Sequence, residues 1–208
     1  MIRTVIFDLG GVVMTLNPGE AMRRFKQLGL ENAEEILDVY TQGGIFGQLE
    51  DGSLSSEDYI EELGKMVGRK LSWEEVKNCW TGYVEEVPER NLQLINNLRD
   101  NGYRVILLSN TNAFMQEWAE SGEFDGKGHG IQTYFDAMYR SYEVKYMKPD
   151  ERFFRHVLLA EDLLPEEALF VDDGPRNVAA ASELGIQTFC PKNGEDWTEE
   201  LLSILKSR

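Results

Sequence analysis

Apolar residues in this chain follow two rhythms. Short, nearly unbroken runs rich in β-branched and aromatic residues occur at 4–7 (TVIF), 104–108 (RVILL), 168–171 (ALFV) and 186–190 (IQTFC), with a weaker one inside 135–144 (FDAMYRSYEV). Runs of this length, bounded by Asp, Gly or Ser, read as strands buried on both faces of a parallel sheet. Between them the apolar positions recur at helical spacing. Leu92, Ile95 and Leu98 mark one helix face, closed by Gly102. Further helices are expected around 114–118, 152–160, 178–184 (closed by Gly185) and 197–207, and the Gly-rich stretch 121–130 reads as a surface loop.

Residues 19–87 interrupt this alternation. Ile36, Val39 and Tyr40, then Tyr59, Ile60, Leu63, Met66 and Val67, keep helical period, and no strong strand signal appears. Ser55 to Asp58 and Ser72 to Glu75 both fit the S-x-x-[DE] helix-start pattern. The expected fold class is therefore α/β: a Rossmann-like open parallel sheet with helices on both faces, formed by 1–16 and 89–208, with an all-α insertion at 17–88.

The composition is that of an ordinary soluble domain, 42% hydrophobic and 28% charged over 208 residues. A net charge of −16 makes nucleic acids and anionic membranes poor partners, while leaving room for a local pocket that takes a small anion. Cys79 and Cys190 form no metal-ligand or disulfide pattern, so two buried free thiols in a cytoplasmic protein are expected. The oligomeric state is not legible.

In open parallel sheets, ligands bind beyond the carboxyl ends of the strands. Asp8 follows the first run, Ser109 and Asn110 follow the second, and Asp172 and Asp173 follow a later one. Taken singly, Asp8 fits a turn, Ser109 and Asn110 fit a helix cap, Lys148-Pro149-Asp150 fits an exposed turn and Asp172-Asp173-Gly174 a solvated turn. Together they bring three carboxylates to one sheet edge, an arrangement that calls for a neutralising cation. A hard divalent ion such as Mg²⁺, with Lys148 and the Ser109 and Asn110 donors beside it, makes a site for a phosphoryl group.

The segments VIFDLGGVV, VILLSNT, KPDERFF and LFVDDGPRNVAAASELGI, in this order, resemble the four motifs of the haloacid dehalogenase-like hydrolase superfamily. The insertion resembles that superfamily's C1-type cap, and LEDGSLSSEDYIEEL within it is similar to a cap segment of the phosphatase branch. The resemblance implies Asp8 as nucleophile, forming an aspartyl-phosphate, and Ser109 and Asn110 as phosphoryl contacts. It implies Lys148 as the cation steadying both nucleophile and phosphoryl group. Asp8, the Gly10 carbonyl and the acidic pair Asp172 and Asp173 would hold Mg²⁺, with Asp173 the better match to the direct ligand and Asn177 close behind. A small phosphorylated metabolite would be the substrate.

One departure matters. The phosphatase pattern is D-x-D, but the second acid is replaced here by Gly10. That acid protonates the leaving oxygen, help worth about 10²- to 10⁴-fold. Three readings compete: a 2-haloacid dehalogenase, which the intact Asp172-Asp173 pair argues against; a catalytically silent binder of a phospho-ligand or partner; and a phosphatase whose substrate leaves easily. A sugar 1-phosphate leaves easily, and FDLGGV with LLSNTN is similar to the α-D-glucose-1-phosphate phosphatase subgroup. Lys145, where that pattern has glycine, is either a surface lysine or an anion contact at the rim. The Gly-rich cap loop 43–48 is expected to face the site and gate it. Trp73, Trp80 and Tyr83 read as cap core, and His129 and His156 as residues away from the chemistry.

Overall fold

The computed structural model describes residues 1–37 and 43–206, so Val39 and Tyr40 lie outside the described residues. Among the described residues the strands are β1 (Thr4–Phe7), β2 (Thr15–Leu16), β3 (Val84–Glu86), β4 (Arg104–Ser109), β5 (Ala137–Arg140), β6 (Ala168–Val171) and β7 (Gln187–Phe189). Helices α1 (Pro18–Leu28), α2 (Ala33–Ile36), α3 (Gly44–Glu50), α4 (Ser56–Val67) and α5 (Trp73–Trp80) lie between β2 and β3. The rest of the chain carries α6 (Glu89–Asp100), α7 (Ala113–Glu120), α8 (Ser141–Val144), α9 (Glu151–Ala160), α10 (Pro175–Glu183) and α11 (Thr198–Lys206).

The main sheet has the order β5-β4-β1-β6-β7 and every pairing in it is parallel. β1 is central, and all four of its residues are buried. Its side chains alternate between faces. Val5 and Phe7 join an apolar cluster with Leu107, Leu169, the α6 residues Leu92 and Ile95, and Leu201 of α11. Ile6 joins the opposite cluster with Ile106, Phe170, Phe153 and Phe154 of α9, and Ala181 of α10. Helices thus cover both faces. Each large apolar side chain buried this way contributes about 1.5–3 kcal/mol.

The inserted helices extend the first of these clusters. Phe25, Phe46, Tyr59 and Trp80 form an aromatic group of edge-to-face and tilted pairs with centroids 5.4–6.2 Å apart. Phe114 of α7 continues it beyond the insertion, with ring centroids 4.3 Å from Trp73 and 6.0 Å from Tyr59. Both expected helix starts are present. The Ser55 hydroxyl accepts from the Asp58 N–H, and Ser72 with Glu75 forms a reciprocal capping box.

Three expectations need correction. The helical stretch does contain a strand, because β3 pairs antiparallel with β2 in a two-stranded ribbon at the neck of the insertion. These strands are two and three residues long, too short to impose a period. Cys79 is buried, but Cys190, just after the edge strand β7, is exposed. The segment 43–48 is no open loop: from Gly44 onward it is α3, with Phe46 and Leu49 turned into the aromatic core.

Candidate active site

A cavity of about 480 Å³ opens at the carboxyl edge of the sheet. Asp8, Gly10, Ser109, Asn110, Lys148, Asp173 and Asn177 line it from the sheet side, and Glu50, Trp80 and Tyr83 line it from the inserted helices. Parallel strand pairing explains the convergence. β4, β1 and β6 are adjacent; β1 and β6 end level at Phe7 and Val171, and β4 runs on two residues past Leu107 to Ser109, so Asp8, Ser109 and the Asp172-Asp173 pair emerge at one edge.

Lys148 organises the charges. Its Nζ lies 2.8 Å from Asp8 Oδ1 and 2.7 Å from Asp172 Oδ2, and donates to the Leu108 carbonyl at 2.9 Å. The Lys148 side chain is 1% exposed and that of Asp172 fully buried, so these charges meet with little water between them. Burial by itself would push the Lys148 ammonium down, but Asp172 and Asp8 outweigh it and hold its pKa above the ordinary lysine value. Burial pushes the Asp8 carboxyl the other way, up to about 8, with Lys148 opposing and Asp172 and Asp173 adding to the rise. Asp173 is raised to about 6, first by burial and then by Asp172.

The two acids of the pair are not equivalent. Asp172 Oδ1 accepts from the Gly174 N–H at 2.8 Å and from Asn177 Nδ2 at 2.9 Å, while Oδ2 faces Lys148. Both its oxygens are therefore engaged, and it does not line the cavity. Asp173 Oδ2 is buried without a hydrogen-bond partner. One carboxylate oxygen each from Asp8, Asp172 and Asp173 lies within 4.8 Å of the others. An orphaned carboxylate oxygen beside two further carboxylates is a donor set suited to a hard divalent cation such as Mg²⁺. Gly11 keeps room for it. Its φ is +76°, and a Cβ there would sit 2.1 Å from Asp173 Oδ2.

Asn110 lines the cavity, while its side chain is engaged within the protein. Its Nδ2 donates to the Lys148 carbonyl and its Oδ1 accepts from the Lys148 N–H, both at 2.9 Å. The amide is engaged at both ends in fixing the Lys148 backbone. Ser109 is buried and lines the cavity with its neighbours.

Lys145 is an exposed lysine, and its Nζ donates to the Gly52 carbonyl of the insertion. Trp80 and Tyr83 are core residues that also wall the cavity, whereas Trp73 packs on α7 and donates its Nε1–H to Glu117 at 2.6 Å. His129 bonds Asp125, and His156 lies against Tyr139; both are exposed and away from the cavity. Two cavity residues escape the sequence pattern. Arg176, exposed at the rim, has no ion-pair partner among the described residues. Glu50, at the end of α3, is 8% exposed, and burial raises its carboxyl to about 7 against the pull of Lys148.

Comparison with known proteins agrees with this geometry. The chain is 43% identical over 207 residues to a D-ribitol-5-phosphate phosphatase of Bacteroides thetaiotaomicron, covering all of both proteins. It superposes on the crystal structure of a "predicted HAD-like family hydrolase" from Porphyromonas gingivalis with a TM-score of 0.95, 39% identity and full coverage of both chains. A haloacid dehalogenase (HAD) family enzyme of B. thetaiotaomicron, solved with magnesium and inorganic phosphate, superposes with a TM-score of 0.87 at 32% identity, over 96% of this chain and 99% of that one. Residues 2–185 match the haloacid dehalogenase-like hydrolase family, and the chain belongs to that family.

Proposed function

We propose that this hydrolase is a Mg²⁺-dependent phosphatase of a small polyol or sugar phosphate, working through Asp8. The observation that carries the reading is the buried Asp8–Lys148–Asp172 chain set beside the unpartnered Asp173 oxygen. It offers a nucleophilic carboxylate, a fixed cation and a place for a metal on one sheet edge. Asp8 attacks phosphorus and becomes an aspartyl-phosphate; Lys148 keeps the carboxylate oriented and meets the phosphoryl oxygens, with Ser109 donating to them. Asp8, the Gly10 carbonyl and Asp173 would hold Mg²⁺, which supplies positive charge against the phosphoryl oxygens. Asp172 orients Lys148, and Asn110 fixes its backbone. The helices of 17–88 act as a cap that shields the site from bulk water.

The 43% identity to a D-ribitol-5-phosphate phosphatase favours an open-chain or furanose pentose phosphate as substrate. Gly10 favours a second reading, a hexose 1-phosphate, whose anomeric oxygen leaves without strong protonation. Phosphate release from D-ribitol 5-phosphate, D-ribose 5-phosphate and α-D-glucose 1-phosphate, with Mg²⁺, ranks the two. Asp8→Asn abolishes the activity if the reading holds. Turnover that survives Asp8→Asn, or no phosphate released from any of the three, overturns it.

A further inference from the structure

An alkyl phosphate ester such as D-ribitol 5-phosphate releases an alkoxide, a poor leaving group that needs a proton as its bond to phosphorus breaks. The first motif offers none, because position 10 is a glycine. Among the described residues, Glu50 is the one carboxyl group lining the cavity apart from Asp8 and Asp173. We propose that Glu50, carried by the inserted helix α3, is the general acid and base of this phosphatase, so that the proton relay comes from the cap rather than from the sheet.

Three observations support the assignment, which rests on the phosphatase reading above. First, Glu50 is held over the site. Two residues on, Gly52 lies so close to α8 that a Cβ would meet the Tyr142 carbonyl oxygen at 2.1 Å, and Lys145 Nζ bonds the Gly52 carbonyl. The chain then runs three residues to Lys148, so this anchor ties the end of α3 to the segment bearing the catalytic lysine. Second, Glu50 is buried among apolar walls, with Trp80 and Met115 in the same cavity and Tyr59 close behind. Third, burial raises the Glu50 carboxyl to about 7 against the pull of Lys148, so near neutral pH both the protonated form an acid needs and the ionised form a base needs are populated. Lys148 and Tyr59 act on Glu50 directly, and the other charged or titratable groups lining the same cavity are Asp8, Asp173, Tyr83 and, at the rim, Arg176.

The proton account closes over two steps. As Asp8 Oδ bonds phosphorus and the ester P–O bond breaks, the Glu50 carboxyl gives its proton to the leaving oxygen, releasing the alcohol. Glu50, now a carboxylate, takes a proton from the water that attacks the aspartyl-phosphate. The Asp8–phosphorus bond breaks, hydrogen phosphate departs and Glu50 is protonated again.

Glu50→Gln keeps size and polarity but has no proton to give. In single-turnover experiments with Mg²⁺, its rate of alcohol release from D-ribitol 5-phosphate is expected to fall about 10²-fold or more, while phenolate release from 4-nitrophenyl phosphate, which needs no acid, falls less than about tenfold. With the aryl ester, a burst of one phenolate per active site followed by slow turnover is expected, because the base is also missing. The double variant Gly10→Asp/Glu50→Gln regains alkyl turnover, since the nearest atoms a Cβ at position 10 meets belong to the flexible Leu16 side chain at 3.2 Å, which can give way to seat an acid there. An equal fall for both esters, or a rise in KM alone, overturns the acid role and leaves the phosphatase reading standing. Wild-type protein inert toward both esters overturns both.

Discussion

Replacing Lys148 by methionine tests whether the site is held together by one shared cation. The ammonium pairs with Asp8 at 2.8 Å and with Asp172 at 2.7 Å, with the lysine side chain 1% exposed. Methionine fills similar volume but strands two carboxylates in a site with little water. Asp172 keeps the Gly174 and Asn177 donors, and Asp8 keeps only the Leu9 N–H at 2.7 Å. Breaking a buried pair from one side costs about 3–5 kcal/mol. For a chain of this size, at about 2–4 °C per kcal/mol, the midpoint of thermal unfolding drops by about 6–20 °C. The sign with pH is fixed. Lys148 lowers the carboxyl pKa of Asp8, so its removal raises that pKa further in the folded state. A folded-state pKa raised above the unfolded value costs stability only once the group would ionise. The deficit of the variant is therefore larger at about pH 8 than at about pH 5.5. Differential scanning calorimetry of metal-free wild type and variant at the two pH values measures it. A loss below about 1 kcal/mol, or an equal loss at both pH values, refutes the shared-cation account.

Two further outcomes are expected. Gly11→Ala forces a Cβ into Asp173 Oδ2 at 2.1 Å and strains a residue at φ +76°, so unfolding should come about 1–3 kcal/mol sooner and Mg²⁺ should bind more weakly, as read by thermal melts and a metal titration. Asp8, Asp173 and Glu50 all have carboxyl pKa values raised on folding, to about 8, about 6 and about 7. Each contributes a penalty that is absent below its unfolded pKa and complete above its folded one, so metal-free protein should lose stability from about pH 5 to about pH 8. Mg²⁺ should restore more midpoint temperature at the upper end of that range than at the lower, and equal restoration throughout would count against a cation neutralising these carboxylates.

The sheet and its chemistry were readable because both obey local rules. β1, β4 and β6 are continuous apolar runs, and the charged or polar residues that end them have to emerge at one edge once the strands pair in parallel. The helix starts at Ser55 and Ser72 were readable for the same reason, since a cap involves neighbours three residues apart. What stayed hidden depends on distant contacts. β2 and β3 are recognisable only through each other, 68 residues apart from Leu16 to Val84. Asn110 has the side chain of a ligand contact, yet the Lys148 backbone satisfies its amide at both ends. Glu50 sits in an ordinary amphipathic helix, and nothing within that helix distinguishes it from a solvated glutamate. Its place over the cavity follows from the docking of Gly52 on α8 and of the aromatic cluster on α7.

That cluster also sets how the enzyme responds to temperature. Trp73 and Tyr59 of the inserted helices pack on Phe114 of α7, so swinging them away parts packed rings and wets apolar surface. Wetting apolar surface raises heat capacity. Turnover limited by such opening gives a curved Arrhenius plot, whereas turnover limited by phosphoryl transfer gives a straight one. The curvature of a simple rate-against-temperature series thus reports whether parting the insertion from α7 or the phosphoryl transfer itself limits turnover.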